Sequence, residues 1–245
     1  MIRLEHIKYE VQEEHVGKEI IRDVSLTLPD NTFIVLTGPN GGGKSTLAKL
    51  IAGIETPTEG HIFLDDREIT GLDVTERAKA GISFAFQQPV RFKGLQVYDL
   101  LKIASGKELS ITDACQYLSE VGLCARDYIR REVNASLSGG DLKRIEIATV
   151  LARHTPVTIF DEPEAGIDLW SFQSLIQVFR RMREQMHGTI MIISHQERIL
   201  EIADEIVVIG NGRITEQGPR EEILPRLAAS GAAARDYEGG SDGQY

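Results

Sequence analysis

Residues Gly38 to Ser45 read GPNGGGKS, the G-x-x-x-x-G-K-[ST] arrangement of a phosphate-binding loop. Its chemistry follows from the residue types. Glycines at Gly38, Gly41, Gly42 and Gly43 let successive backbone N–H groups turn inward onto an anion. Lys44 reaches the β- and γ-phosphates, and the Ser45 hydroxyl ligates Mg²⁺. Pro39, Asn40 and Thr46 complete the stretch expected to touch nucleotide. The flanks agree. Thr32 to Leu36 is a short apolar run that predicts a buried strand, and Thr46 to Ala52 opens a helix whose N-terminus faces the anion. The stretch predicts an α/β nucleotide-binding enzyme.

A chain of 245 residues is long enough for one large α/β domain or a domain with a subdomain. The formal charge of −10 argues against a nucleic-acid surface and for an ordinary soluble cytoplasmic protein. The two cysteines, Cys115 and Cys124, lack metal-ligand spacing and are expected as reduced, partly buried thiols. No apolar run has the length of a membrane span and no signal-peptide pattern opens the chain, so direct membrane insertion is not expected.

Residues 1–30 alternate apolar and polar, which predicts antiparallel strands joined by the charged turn Gln12–Lys18. A hairpin edge is expected over His61–Ile69 and a strand over Gly81–Phe86. From Arg91 to about Asn134 the character changes to short helices (Tyr98–Ala104, Ile111–Val121), a helical insert. Helix Ser138–Arg153, strand Val157–Phe160, helix Leu169–Met186, strand Thr189–Ile193, helix Glu197–Ile202 and strand Glu205–Ile209 then alternate. That alternation implies a mostly parallel sheet covered on both faces. After about Arg226 the composition reads as a mobile tail. No internal repeat is evident.

Two further stretches bear on chemistry. Val157 to Glu162 is a buried strand ending in two carboxylates, and ligands of open parallel sheets sit at strand carboxyl ends. Asp161 is expected to hold Mg²⁺, directly or through water, and Glu162 to polarise an attacking water. Leu137-Ser138-Gly139-Gly140-Asp141 precedes a helix with apolar positions Leu142, Ile145, Ala148 and Leu151. Ser138 suits the N-cap, and the bare glycines allow a phosphate close approach. Lys143 and Arg144 read as the solvated face of that helix.

GPNGGGKST, Gln87, LSGGD, the IFDE strand, Ala165-Gly166-Ile167-Asp168 and Ser194-His195 occur in the order found in ATP-binding-cassette (ABC) ATPases, which this chain resembles from residue 1 to about 220. The resemblance implies a P-loop NTPase fold of the ABC ATPase type. That is a RecA-like α/β core with an antiparallel β subdomain and a helical subdomain at about 91–134, within a domain spanning 1–225. It implies ATP hydrolysis with Mg²⁺ by a head-to-tail pair of cassettes. By matching position, Lys44 and Ser45 hold phosphate and Mg²⁺, and Gln87 senses the γ-phosphate and Mg²⁺. Glu162 becomes the catalytic base and His195 holds the γ-phosphate and water. Asp168 communicates across the pair, and Ser138, Gly139 and Gly140 meet the partner's nucleotide. Tyr9 and Val11 both fall near the adenine-stacking place, with Val11 in the more natural register. Asp141 where many transporters carry Gln, and Ala165 in place of Ser, are departures that remove no group needed for hydrolysis.

Several stretches are similar to one branch, the soluble SufC ATPases of iron–sulfur cluster assembly. Phe84-Ala85-Phe86-Gln87-Gln88-Pro89-Val90, Ser138-Gly139-Gly140-Asp141-Leu142-Lys143-Arg144-Ile145-Glu146-Ile147 and Ser194-His195-Gln196-Glu197-Arg198-Ile199-Leu200 carry that likeness. Ala148-Thr149-Val150-Leu151-Ala152 and Asp161-Glu162-Pro163 are closer to transporter wording. The branch implies a SufB- or SufD-like scaffold as partner. The alternative is the ATP-binding subunit of a membrane transporter, and a third reading is a regulatory module that binds ATP and hardly hydrolyses it. Glu162 and His195 argue against the third.

Overall fold

The computed structural model describes residues 1–13, 16–134, 136–185 and 188–229. The chain divides into two compact units, one of residues 1–79 with those from 191 onward, the other of residues 80–190.

In the first unit the alternation of residues 1–30 becomes β1 (Ile2–Glu13) and β2 (Val16–Leu28), an antiparallel pair. Ile2, Leu4, Ile7, Ile21, Val24, Leu26 and Leu28 are buried, while Asp23, Ser25 and Thr27 are exposed. That is the period of two of a sheet with one solvated face. The expected turn over Gln12–Lys18 is corrected. Pairing continues through Gln12↔Gly17 and Glu13↔Val16, because a two-stranded ladder needs only backbone groups to extend. β3 (Phe33–Thr37) is buried along its whole length and is followed by α1 (Lys44–Ala52). β4 (Glu59–Leu64) and β5 (Arg67–Glu68) form the expected hairpin, giving the sheet order β2-β1-β4-β5.

α2 (Val74–Ala80) is an addition to the sequence reading. Its start is a reciprocal cap, with Glu76 N–H donating to Asp73 Oδ1 (2.8 Å) and Asp73 N–H donating to Glu76 Oε2 (3.0 Å). Arg77 on this helix is only 1 % exposed. Its guanidinium donates to the carbonyls of Leu50, Ile51 (2.9 Å), Thr70 (2.8 Å) and Leu72 (3.1 Å). The first two belong to the last turn of α1, whose carbonyls lack partners within the helix and carry the negative end of its dipole.

The second unit holds β6 (Ile82–Ala85), α3 (Val97–Ser105), α4 (Ile111–Glu120), α5 (Ala125–Tyr128), α6 (Gly139–Arg153), β7 (Val157–Asp161) and α7 (Leu169–Gln185). β6 and β7 run parallel, with Ile82 opposite Val157 and Ala85 opposite Phe160. The end expected for α7 at Met186 lies outside the described residues. Ser138 caps α6 by accepting from Asp141 N–H at 3.1 Å. α6 is corrected in one respect. Leu142, Lys143, Ile145, Ile147, Ala148, Val150, Leu151 and Ala152 are all buried, so the helix is enclosed well beyond a single apolar stripe. Lys143 is therefore not on a solvated face. Cys124 is exposed, whereas Cys115 is part-buried.

β8 (Thr189–Ile193) returns the chain to the first unit, followed by α8 (Glu197–Leu200), β9 (Glu205–Gly210), β10 (Arg213–Pro219) and α9 (Arg220–Ala229). α8 is shorter than the expected Glu197–Ile202. The strand order there is β10-β9-β3-β8, with β3 and β9 parallel and β9 and β10 antiparallel. The hairpin turn is Asn211-Gly212, both at positive φ (51° and 73°), the backbone that a two-residue turn of matching twist demands. α9 continues the ordered chain past Arg226 to Ala229. The rest of the expected tail, residues 230–245, lies outside the described residues.

Candidate functional site

The expected site residues divide between the units: Gly38–Thr46 and His195 in the first, and Gln87, Ser138–Gly140, Asp161, Glu162 and Asp168 in the second.

In the first unit, the loop between β3 and α1 is built by close backbone packing. A Cβ at Gly38, whose φ is 138°, would lie 2.0 Å from the carbonyl oxygen of Ile209 on β9. Only glycine fits there. Gly42 N–H donates to Pro39 O (3.0 Å), and Gly212 N–H, from the β9–β10 turn, donates to Gly42 O (3.1 Å). The hairpin thus backs the loop. Lys44 is 5 % exposed, and its ammonium curls over the loop to the carbonyls of Gly38 (2.8 Å) and Pro39 (3.0 Å). No side chain caps α1 at Gly43. A helix start without a side-chain cap, beside a lysine and a hydroxyl, Ser45, fits a phosphate chain.

His195 follows β8 at its carboxyl end. Ser194, fully buried, donates its N–H to Leu36 O (3.2 Å) and accepts from Gln196 N–H at 3.0 Å. These bonds fix the backbone around His195. Its buried Nδ1 has no hydrogen-bond partner among the described residues, the kind of orphan that calls for a ligand atom. Tyr9 is engaged elsewhere. Its hydroxyl donates to Glu55 Oε2 at 2.7 Å, beyond the C-terminal end of α1 and away from the loop. That bond, with burial, pushes the Tyr9 pKa up to about 12. Val11 pairs with Lys18 and is part-buried.

In the second unit, β7 ends in Asp161, which is 4 % exposed. The next residue, Glu162, holds a φ of 41°, a left-handed conformation uncommon for a glutamate and typical of strained functional positions. Gln87 Nε2 donates to Glu162 Oε2 at 2.5 Å, so the structure joins these two expected site residues directly. Asp168 Oδ1 accepts from Ser171 N–H at 3.0 Å, an N-terminal cap on α7 that sequence reading had not assigned. Ser138 and Gly139 are exposed at the start of α6.

α6 places a charged pair against the residue before Gln87. Lys143 (1 % exposed) pairs with Glu146 at 2.8 Å. Its ammonium also donates to the carbonyl of Phe86, and Glu146 Oε1 accepts from Phe86 N–H at 3.0 Å. Burial pushes the Glu146 carboxyl up, with Lys143 and the Phe86 N–H acting in the opposite direction. Lys143 and Glu146 stand at i, i+3 on α6, a spacing that on a solvated helix face makes only a surface pair.

Among the described residues no three His, Cys, Asp or Glu gather as a metal cage. Mg²⁺ does not need one, since it commonly binds through one or two side chains plus substrate phosphates and water. Ser45 in the first unit and Asp161 in the second each carry an oxygen of the right chemistry. Among the described residues no helix is long and apolar enough to cross a membrane.

A family model described as "ABC transporter" matches residues 21–165. An uncharacterised ABC transporter ATP-binding protein, MJ0035, of Methanocaldococcus jannaschii is 35 % identical over 87 % of this chain and 89 % of its own length. The sulfate/thiosulfate import ATP-binding protein CysA of Synechocystis sp. is 34 % identical over 85 % of this chain, which spans only 59 % of that relative. The lipopolysaccharide export system ATP-binding protein LptB of Acidithiobacillus ferridurans is 33 % identical over 84 % of this chain and 86 % of its own length. Among solved structures, the dimeric cassette MJ0796 bound to ADP and Pi superposes with a TM-score of 0.80 at 23 % identity, covering 90 % of this chain and 99 % of that one. By fold, by ordered motifs and by these matches, the chain belongs to the ATP-binding-cassette (ABC) family and is an ATPase.

Proposed function

We propose that this chain hydrolyses MgATP as the engine of a larger assembly, working as a head-to-tail pair in the cytoplasm. The observation that carries the proposal is the Gln87–Glu162 hydrogen bond at 2.5 Å, made by a glutamate in a strained backbone conformation at the end of β7. A carboxylate held there is suited to accept a hydrogen bond from the attacking water, and Gln87 fixes which oxygen is presented. The loop amides and Lys44 bind the phosphate chain, and Ser45, Asp161 and Gln87 serve the Mg²⁺ side. Bound Mg²⁺ supplies charge neutralisation of the phosphates. His195 brings an imidazole whose buried Nδ1 is unpartnered among the described residues. Catalysis by these groups is positioning and charge stabilisation. Ser138, Gly139 and Gly140 are assigned to the second copy's nucleotide, and Asp168 to communication across the pair. Residues 1–225 act as one ATPase domain, with 91–134 as its helical subdomain.

The names of the relatives support a membrane transporter as the assembly. A specific observation favours a second reading, a SufC-like ATPase acting on a SufB- or SufD-like scaffold in iron–sulfur cluster assembly. Lys143 and Glu146, which carry part of the likeness of the SGGDLKRIEI stretch to that branch, pair at 2.8 Å, Lys143 buried and Glu146 part-buried. The engine is tested by Lys44→Ala, expected to abolish ATP binding while leaving the fold intact. Tight ATP binding by that variant overturns the loop assignment. The assembly is tested by anaerobic affinity purification with mass spectrometry and iron analysis. A polytopic membrane protein supports the transporter, and a soluble scaffold carrying iron supports the second reading.

A further inference from the structure

The Lys143–Glu146 pair grips the backbone on both sides of one residue. Lys143 takes the Phe86 carbonyl and Glu146 takes the Phe86 N–H, while the Phe86 ring stacks edge-on against Phe84 at 4.9 Å between centroids. The residue held is the one immediately before Gln87. The peptide linking Phe86 to Gln87 is the very group whose oxygen Lys143 binds, so the clamp sets the direction in which the Gln87 side chain leaves. Gln87 in turn holds Glu162. Both clamp residues lie in the N-terminal half of α6, the helix capped by Ser138.

We infer that Lys143 and Glu146 are positioning residues for ATP hydrolysis, orienting Gln87 against Glu162 and tying that pair to the helix that begins at Ser138-Gly139-Gly140. This rests on the reading of Gln87 and Glu162 as the water-orienting pair. Buried ion pairs are replaceable by apolar residues at little cost in stability. Because this pair engages the backbone on both sides of the residue before a site glutamine, the role we assign to it is orientation. The clamp touches no substrate, so its effect falls on kcat, with ATP affinity kept by the phosphate loop.

The experiment is a kinetic cycle on the full chain, with phosphate release and ATP binding measured for wild type, Lys143→Met/Glu146→Leu, Gln87→Ala and the combination. Glu146→Gln, which keeps an acceptor for the Phe86 N–H, and Lys143→Arg run alongside as milder variants. The expected result is a kcat about ten- to a hundredfold lower in the paired variant, with unchanged ATP affinity and partial recovery in Lys143→Arg. In the Gln87→Ala background the paired change has no further effect, since the clamp acts through Gln87. If the paired change lowers kcat by the same factor with and without Gln87, or leaves kcat unchanged while Gln87→Ala lowers it, the inference is overturned. If Gln87→Ala itself leaves kcat unchanged, the underlying reading of the pair fails instead. Should the apolar pair not fold, Glu146→Gln in the same cycle decides between these results.

Discussion

Among the described residues, each compact unit holds one long cation at 1 % exposure, and the two are satisfied in opposite ways. Arg77 in the first unit donates to the carbonyls of Leu50, Ile51, Thr70 and Leu72. Lys143 in the second faces a carboxylate, Glu146, and one carbonyl, that of Phe86. Desolvation shows in both. It lowers the Arg77 pKa to about 10, and it raises the Glu146 carboxyl above its ordinary range. The difference lies in what remains when the cation is removed. Around Arg77 the orphaned groups are main-chain carbonyls that no substitution can delete. Around Lys143 the chief orphan is a side chain, which can be replaced together with its partner. The first arrangement builds stability into the end of the phosphate-loop helix, and the second builds orientation into the approach to Gln87.

The largest effect is expected at Arg77. Arg77→Met should cost roughly 3–5 kcal/mol in urea unfolding, as several buried acceptors lose their donor at once. Arg77→Lys should recover less than half of that, since a single ammonium cannot reproduce a planar fork spanning separate carbonyls. Recovery to wild type by Lys would show that charge, not geometry, is what α1 requires. Next comes Lys143→Met alone, expected to cost about 3 kcal/mol because Glu146 is left buried without its counterion. The paired change Lys143→Met/Glu146→Leu should return to within about 1 kcal/mol of wild type. Phe86 is 40 % exposed, so water can reach its released backbone groups. A paired variant as unstable as the single one would erase the contrast between the two cations.

The smallest effects are pH dependences. Burial holds the Glu146 pKa above the ordinary glutamate value of 4.5, so the fold favours the protonated carboxyl. Its contribution is fully present below about 4.5 and is lost as pH rises through the elevated folded value. Glu146→Gln should remove that decline from the stability profile. Tyr9 behaves alike at the alkaline end. With 10.0 as its ordinary value and about 12 in the fold, stability should fall between those values in wild type and not in Tyr9→Phe. An alkaline profile shared by both proteins would mean the Tyr9–Glu55 bond is not kept in solution.

Much of this was legible in the chain. GPNGGGKS between an apolar run and a helix gave the loop, and Val157 to Phe160 gave the strand that delivers Asp161 and Glu162. Two further elements carry plain local signals. Asn211-Gly212 is a strong short hairpin signal, and it makes β10, whose turn backs the phosphate loop. Asp73-x-x-Glu76 is a capping pair, and it starts the helix that carries Arg77. Other features had no local signal. A lysine off the apolar stripe of one helix looks solvated until neighbouring elements cover that side, which is a fact of tertiary packing. The same holds for Tyr9, whose place beside the nucleotide depended on register and whose hydroxyl is bound to Glu55. The joining of Gln87 to Glu162, 75 residues apart in sequence, came only with the fold.

The most direct measurement is multiple-turnover phosphate release by Glu162→Gln beside wild type, with ATP binding followed in the same samples. Bound ATP is expected in both, with steady release by wild type and release slowed about 10²–10⁴-fold in the variant, the range of a lost general base. Hydrolysis by Glu162→Gln at the wild-type rate would contradict that expectation and remove Glu162 from the reaction.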